Sequence, residues 1–232
     1  MARAPLSIVI PTLNAEAGLP GCLAGLTEGL SEGLIRELIV SDGGSRDATP
    51  RIAEQAGAEW ITGPASRGGQ LRRGVAAAQG DWLLILHADS QLPPGWTEAA
   101  LHHMATAPDK AGYFRLGFRA TGLAPRLVAG WANLRSQLFG LPYGDQGLLI
   151  PRGLYDQIGG YRDIALMEDV TMARSLRGRL CALPLTLTTS AIRYQREGWL
   201  RRGGRNLGTL GRFLLGTPPE KLVHRYHRKA ND

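Results

Sequence analysis

The chain has 232 residues, of which 44% are hydrophobic and 20% charged, and this composition excludes an intrinsically disordered protein. Its 27 Lys and Arg against 20 Asp and Glu give a net charge of +7, and residues 193–232 carry that whole excess. Because Cys22 and Cys181 lie far apart and no long apolar run is present, disulfide frameworks, cysteine metal sites and membrane-spanning helices are excluded. We predict a cytoplasmic protein, with at most a peripheral contact at the inner face of a membrane.

Short apolar runs alternate with helical patterns along the first 90 residues. The predicted elements are strand 6–10 (stopped by Pro11), helix 16–30, strand 37–40, a helix from Ser45, strand 60–61, helix 70–78 and strand 82–86. Four such alternations predict an α/β fold, with a mostly parallel sheet and helices on both faces.

The second half of the sequence alternates less regularly. The predicted elements are an antiparallel strand 113–119, helix 127–139, strand 147–150, a helix starting near Met167 and, in the tail, a basic amphipathic helix 199–214. We therefore predict one α/β domain over residues 1–192 and a basic helical appendage over residues 193–232.

Ligands of parallel α/β sheets bind outside the carboxyl ends of the strands. The segments that follow three predicted strands there are Pro11–Glu16, Ser41–Gly43 and His87–Asp89, which bring acidic and amide side chains to one crevice. The sequence lacks a P-loop and a G-x-G-x-x-G fingerprint, so phosphate binding by a glycine-rich helix start is excluded. A G-x-S-x-G elbow is also absent, which counts against an α/β hydrolase.

Several strings in order resemble one enzyme family. They are SIVIPTLNAE (7–16), ELIVSDGGSRDAT (37–49), RGGQLRRG (67–74), LHADS (86–90) and Glu168–Asp169. Together they resemble the family 2 glycosyltransferases, a large inverting group with the GT-A (Rossmann-like) fold. The His-Ala-Asp and Gly-Asp-Gln-Gly strings are also similar to a small soluble subgroup linked with arsenosugar biosynthesis.

The resemblance implies that the first strands bind a nucleoside diphosphate sugar, most often a UDP-sugar. The positions that match donor-nucleotide contacts are Pro11, Asn14, Glu16, Asp42, Arg67 and Arg73. A carboxylate such as Asp42 can accept from the uracil N3–H, and guanidinium groups suit phosphate oxygens. The alternative for Asn14 and Asp42 is turn chemistry, since both residue types are favoured where strands end.

A metal site is implied at the end of the strand 82–86. Asp89 matches the last carboxylate of the family's Asp-x-Asp signature, whereas His87 replaces the first aspartate. Carboxylate and phosphate oxygens suit Mg²⁺ or Mn²⁺, and imidazole suits Mn²⁺ better than Mg²⁺. The expected cofactor is therefore Mn²⁺ or Mg²⁺, held mainly by Asp89 and the diphosphate, with His87 either a ligand or a donor contact.

Glu168 and Asp169 match the acidic pair that supplies the catalytic base. Inverting transfer is a single displacement in which the acceptor hydroxyl loses its proton, and one nearby carboxylate can take it. The resemblance implies Asp169 as the base and Glu168 as a helper, while helix capping is the alternative. We also place Asp145 and Gln146 in the sugar or acceptor pocket.

The basic appendage has two interpretations. It either packs on the domain as a lid whose arginines face the diphosphate or an anionic acceptor, or lies on an anionic membrane near a lipid-linked acceptor. Two other functions remain open for the chain: a non-catalytic nucleotide-sugar-binding regulator, and a nucleic-acid-binding protein. The second is disfavoured, because residues 1–192 are neutral and aromatic residues make up only 6% of the chain. The sugar and the acceptor are left open.

Overall fold

The structure is a computed structural model that describes residues 4–222, and residues 223–232, the end of the predicted appendage, lie outside them. Within that range seven strands form one sheet in the order β3-β2-β1-β4-β6-β5-β7. The strands are β1 (Leu6–Thr12), β2 (Ile35–Asp42), β3 (Glu59–Thr62), β4 (Trp82–Ile85), β5 (Ala111–Phe118), β6 (Leu148–Pro151) and β7 (Leu180–Thr189).

Ten α-helices surround the sheet in the described part of the chain. They are α1 (Leu19–Ala24), α2 (Thr27–Ser31), α3 (Thr49–Gln55), α4 (Arg67–Ala77), α5 (Trp96–Thr106), α6 (Leu123–Phe139), α7 (Arg152–Gln157), α8 (Glu168–Ser175), α9 (Ile192–Glu197) and α10 (Trp199–Leu214). The segment predicted as one helix over 16–30 is two short helices, because the chain turns at Gly25 between them. The helix predicted over 199–214 is observed as α10.

The first four strands are parallel, as predicted. β1 lies between β2 and β4, and its apolar side chains alternate between the two faces of the sheet. The prediction that Pro11 ends the first strand is wrong, since β1 continues to Thr12. Pairing with β4 stops at Val9, so beyond that point β1 pairs only with β2, and a residue without a backbone donor is tolerated there.

The second half of the sheet is mixed. β6 is antiparallel to both β4 and β5, and β7, which the sequence analysis missed, is parallel to β5. The strand predicted over 113–119 is therefore antiparallel only on the side where it meets β6. The missed strand β7 contains Pro184, which argues against a strand, although Leu and Thr alternate after it as in a half-buried strand.

Helices cover both faces of the sheet, as predicted. On one face, Ile8 and Ile10 pack with Leu19 of α1 and Trp96 of α5, all fully buried. On the other face, Val9 packs with residues of α4, α7 and α8. No helix within residues 4–222 combines the length and the apolar character needed to cross a bilayer. The division of the chain at residue 192 stays a prediction.

Candidate active site

The loops that follow β1 and β2 are joined by hydrogen bonds. The Asn14 amide N–H donates to Ser45 Oγ at 2.8 Å, and Asn14 Oδ1 accepts from the Arg46 amide at 2.9 Å. Glu16 Oε2 accepts from the Ala48 amide at 2.9 Å. Asn14 has a positive φ of 50°, a conformation that Asn tolerates better than most residues. Asn14 and Glu16, both predicted to contact the donor nucleotide, therefore also fix the shape of these loops.

Asp42 lies at the end of β2 and is 1% exposed. Its Oδ1 accepts from Thr12 Oγ1 at 2.8 Å and from Ser45 Oγ at 2.5 Å. Its Oδ2 accepts from the amides of Gly44 and Ser45, both at 2.6 Å. These four bonds use the lone pairs of the carboxylate, so the structure favours turn chemistry for this residue, and a contact with a base would need some of these bonds to open.

Two side chains of α4 bind backbone at the strand ends. Gln70 Nε2 donates to Thr12 O at 2.6 Å and to Ser41 O at 3.2 Å, so one buried amide joins the ends of β1 and β2. Arg73, predicted to contact the diphosphate, donates to Pro64 O at 3.1 Å. Arg73 therefore supports the loop after β3 in this structure. Helical periodicity alone does not reveal such a buried polar bridge, so the role of Gln70 was not predicted.

Arg67, the first residue of α4, joins two other predicted site residues. Its Nε lies 3.0 Å from Glu168 Oε1, and its guanidinium group contacts His87 Nε2. Gly144 packs against the same imidazole so closely that a Cβ there would collide with it. The pKa of His87 is well below its ordinary value, because the ring is buried and Arg67 and Arg193 lie nearby. The imidazole is therefore neutral, and the lone pair of its Nε2 accepts from the Arg67 guanidinium group.

The acidic pair opens α8, directly after a strained residue. Met167 is buried and has a φ of 67°, an uncommon value for a residue with a side chain, and it turns the chain into the helix. Glu168 is 3% exposed. Burial and the neighbouring Asp169 raise its pKa, and Arg67 partly offsets the rise. Glu168 is thus held against Arg67 below the surface of the crevice, where its surroundings favour a bound proton.

Asp169 is half-buried and borders a small cavity that Tyr143 and Gly144 also line. Its Oδ2 accepts from the Gly144 amide at 3.0 Å, and its Oδ1 accepts from the Val170 amide at 2.7 Å. No ion pair within the described residues neutralises Asp169. Of the two adjacent carboxylates, Asp169 is therefore the one that combines partial exposure with a fixed orientation.

Asp145 lies in a 3₁₀ turn at Gly144–Gln146. Its Oδ1 is buried and has no hydrogen-bond partner in the described part of the chain. Burial raises the pKa of Asp145 to about 6; Arg135 and Arg67 lower it, while Asp169 and Asp89 raise it further. The crevice thus holds several carboxylates that its arginines do not fully neutralise.

Gln146 differs from its predicted place in a sugar or acceptor pocket, because its side chain is fully buried. Its Oε1 accepts from Ser136 Oγ of α6 at 2.6 Å, and its Nε2 donates to Phe114 O of β5 at 3.1 Å. Gln146 therefore anchors the turn that carries Asp145 and does not reach the crevice surface. No sequence pattern distinguishes this buried role from a binding role.

Asp89 and His87 follow β4 and are both half-buried. Within residues 4–222, no three acidic, His or Cys side chains converge closely enough to hold a metal by themselves. The carboxylate of Asp89 and the unpartnered oxygen of Asp145 are nonetheless hard ligands carrying uncompensated negative charge. The residues therefore fit a divalent cation that takes its remaining ligands from a bound diphosphate.

The predicted site residues fall into two groups. One group is brought together by direct contacts or by mutual electrostatic influence: Arg67, His87, Asp89, Asp145, Glu168 and Asp169. The other group has structural contacts instead. Pro11 is buried in a strand, and polar side chains bind neighbouring parts of the domain in Asn14, Glu16, Asp42, Arg73 and Gln146.

The sequence between residues 7 and 137 matches the family described as Glycosyl transferase family 2, which covers more than half of the chain. The chain belongs to this family. Membership agrees with the strand-end site just described and with the resemblance drawn from the sequence strings.

Curated relatives of this family 2 chain include a PGL/p-HBAD biosynthesis glycosyltransferase of Mycobacterium bovis, 33% identical over 170 residues. That alignment covers 69% of this chain and 64% of the relative. A TPR repeat-containing protein of Synechococcus elongatus is 39% identical over 103 residues, which is 42% of this chain and 24% of that protein. The chain thus spans less than two thirds of the length of these relatives.

Solved structures with the same GT-A fold include glucosyl-3-phosphoglycerate synthase of Mycobacterium tuberculosis in complex with Mn²⁺, UDP and phosphoglyceric acid. It is 22% identical, has a TM-score of 0.57, and the match covers 80% of this chain and 69% of that one. S. aureus TarS has a TM-score of 0.63 at 14% identity, covering 80% of this chain and 36% of that one. The predicted fold of this family 2 domain is confirmed.

Proposed function

We propose that this chain is an inverting glycosyltransferase, which moves a sugar from a nucleoside diphosphate sugar to an acceptor hydroxyl. The observation that carries the proposal is the pairing of Glu168 with Arg67, which leaves the adjacent Asp169 partly exposed and unneutralised in the described part of the crevice. A UDP-sugar is the favoured donor, since structures with this fold were solved with UDP and with UDP-glucose.

Asp169 is the proposed catalytic base. Backbone amides of Gly144 and Val170 hold its carboxylate in one orientation, and the residue is only half-buried. In a single displacement the acceptor oxygen forms a bond to the anomeric carbon as the bond to the diphosphate breaks. The proton of the acceptor hydroxyl passes to the Asp169 carboxylate. Glu168 acts as a helper by holding Arg67 in place.

A divalent cation is the proposed cofactor, with Asp89 as its main protein ligand and His87 or Asp145 beside it. Relatives of the fold were crystallised with Mn²⁺ and with Mg²⁺. When bound, such a cation stabilises the negative charge that develops on the departing diphosphate. A neutral imidazole suits Mn²⁺ better than Mg²⁺, so Mn²⁺ is the preferred ion if His87 is a ligand, and that role requires Arg67 to release His87 Nε2.

The donor nucleotide is proposed to lie over the ends of β1 and β2. Asn14, Glu16 and Asp42 shape that floor through their loop bonds, and Arg67 offers its guanidinium group to the diphosphate. Arg73 contributes through the loop after β3 that it supports.

The lid interpretation of the appendage gains support from its packing. Leu210 of α10 is buried in a cluster with Met167 and Val170, the residues that flank the acidic pair. Arg193 of α9 lies near enough to His87 to lower its pKa. We propose that α9 and α10 close one side of the crevice. The resemblance to the arsenosugar-related subgroup remains a prediction, and the acceptor, a small molecule or a lipid-linked one, is left open. The membrane interpretation concerns the opposite face of α10.

A thermal-shift panel tests the donor assignment. UDP with Mn²⁺ should raise the melting temperature of the full chain more than GDP or dTDP with Mn²⁺, and Asp89→Ala should abolish the increment due to Mn²⁺. Slow hydrolysis of a UDP-sugar by the wild type but not by Asp169→Asn would exclude a non-catalytic regulator. If no nucleotide stabilises the protein, the donor assignment is wrong.

A further inference from the structure

Helix α6 presents an apolar stripe to solvent. Five large side chains spaced at i, i+4, i+8, i+11 and i+15 fall within about 80° of one another at 100° per residue. They are Leu123 (76% exposed), Leu127 (70%), Trp131 (46%), Leu134 (45%) and Leu138 (66%). The side of α6 that packs on the domain carries Pro125, Ala129, Ala132 and Ser136 instead. Helix α6 is thus amphipathic, but its large apolar side chains face solvent and smaller side chains pack on the domain.

Helix α10 repeats the arrangement beside it, and the two helices are in contact. Leu200, Leu207 and Leu214 recur every seven residues and are 85%, 42% and 48% exposed, while Leu210 faces the domain. Leu215, which follows the helix, is 89% exposed. Docking of α10 on the domain therefore uses one of its faces and leaves a leucine stripe uncovered.

The charges on these two helices have one sign. The 17 residues of α6 and the 16 residues of α10 include no aspartate or glutamate. Arg126 of α6 and Arg201 and Arg212 of α10 are exposed. The exposed leucines and Trp131 thus share their helices with exposed cations and with no carboxylate, which is the composition of a helix that lies in an anionic lipid interface.

We propose that the exposed faces of α6 and α10 form a surface that binds an anionic lipid bilayer. A second copy of the chain is the other candidate for covering so large an apolar face. In a twofold dimer each surface meets its own copy, so the arginines would face arginines without any carboxylate of either helix to offset them. Anionic headgroups neutralise these cations, and the acyl boundary takes up the leucines. The proposal does not depend on the transferase activity.

Sedimentation of the full chain with lipid vesicles tests the proposal. The wild type should bind vesicles of phosphatidylcholine with about 30% phosphatidylglycerol and not vesicles of phosphatidylcholine alone. Binding should weaken when NaCl rises from about 0.1 M to 0.5 M, because salt screens the arginines. The triple variant Leu127→Gln, Trp131→Gln, Leu207→Gln should lower the partition coefficient at least about tenfold.

Matched controls separate this surface from general effects. Leu30→Gln replaces a leucine of α2 that is 61% exposed, and its vesicle binding should equal that of the wild type. Arg201→Gln with Arg212→Gln should lower partitioning to anionic vesicles by at least about tenfold, whereas Arg51→Gln with Arg177→Gln, also exposed, should not. Circular dichroism checks that every variant is folded.

Tryptophan quenching locates the contact and covers the case in which the triple variant does not fold. Brominated phosphatidylglycerol should quench part of the wild-type fluorescence, and Trp131→Phe should remove that part. Equal vesicle binding by the wild type and the triple variant, or no binding by the wild type, would overturn the proposal. A third outcome would also overturn the proposal: light scattering shows a dimer for the wild type and a monomer for the triple variant, and the wild type binds no vesicles. The face would then join two copies of the chain.

Discussion

On the β1–β2 side of the crevice, side-chain oxygens of Asn14 and Glu16 accept hydrogen bonds from backbone amides of the loop after β2. On the opposite side, Asp145 has a buried side-chain oxygen with no hydrogen-bond partner among residues 4–222. The first side is a closed network in which Asp42 accepts four hydrogen bonds. The second side has carboxyl groups with raised pKa values and a strained residue, Met167.

The difference indicates that the two sides have different tasks. A satisfied network holds its shape before a ligand arrives, which suits recognition of a nucleotide. Carboxylates with uncompensated charge destabilise the folded protein when the crevice is empty, and binding of a cation or a proton removes this repulsion. Functional sites commonly keep such unfavourable groups because the rest of the fold holds them there. Four substitutions test this division of tasks.

Asp169→Asn should produce the largest effect, a fall in kcat of about 10²- to 10⁴-fold, because the amide cannot accept the acceptor proton. The rise in melting temperature caused by UDP should equal that of the wild type, because the nucleotide is proposed to bind on the β1–β2 side of the crevice. Initial rates and thermal shifts measured on one preparation check both statements. Asp156→Asn, an exposed carboxylate of α7, is the control. A loss of UDP binding in Asp169→Asn would contradict the division.

Asp145→Asn should stabilise the protein in the absence of metal, and by more at high pH. The pKa of Asp145 is about 6 in the folded chain against 3.8 ordinarily, so the folded wild type binds more protons between these values. The unfolding free energy of the wild type therefore falls as pH rises from about 4 to 6, by up to about 3 kcal/mol. The amide of the variant does not titrate, so the gain should be small at pH 4 and full above pH 7.

Urea unfolding of both proteins with EDTA present, across this range of pH, measures the effect. A gain that does not change with pH would show that the charge of Asp145 is already compensated in the folded state.

Gly144→Ala should destabilise the chain by about 1–3 kcal/mol, because the new methyl group collides with the imidazole of His87. Displacing the ring also breaks its contact with Arg67, so the stabilisation by UDP and Mn²⁺ should fall. Gly153→Ala is the matched control, since a Cβ at that position of α7 meets open space. Equal melting temperatures for the two variants would mean that His87 adjusts freely.

Ser45→Ala should give the smallest effect, a loss of about 1 kcal/mol in unfolding free energy with a weaker response to UDP. The hydroxyl group both accepts from the Asn14 amide and donates to Asp42, so it joins the two loops. Ser31→Ala, which removes a local bond within α2, is the control. If Ser45→Ala leaves UDP binding unchanged, the network does not shape the nucleotide floor.

Hydrophobic periodicity predicted β1 to β4 and α10, because a buried strand or an amphipathic helix leaves a local pattern. It could not predict that Arg67 meets Glu168, since that contact depends on how α4 and α8 pack. Periodicity also does not say which side of a helix faces the core. In α6 the buried side carries Ala132 and Ser136, and the leucines face outward. The role of Gln146 was likewise set by packing around a turn.

The position of β6 has a consequence for synthesis of the chain. β5 is made about 30 residues before β6, yet it reaches β4 only through β6, which lies between them. Until residue 151 has left the ribosome, the nascent chain holds β4 as an open edge and β5 as an unattached strand. Open edges invite pairing with other chains. We therefore expect chaperone demand to be highest while residues 86 to 151 are emerging, and to fall once this four-residue strand joins the two halves of the sheet.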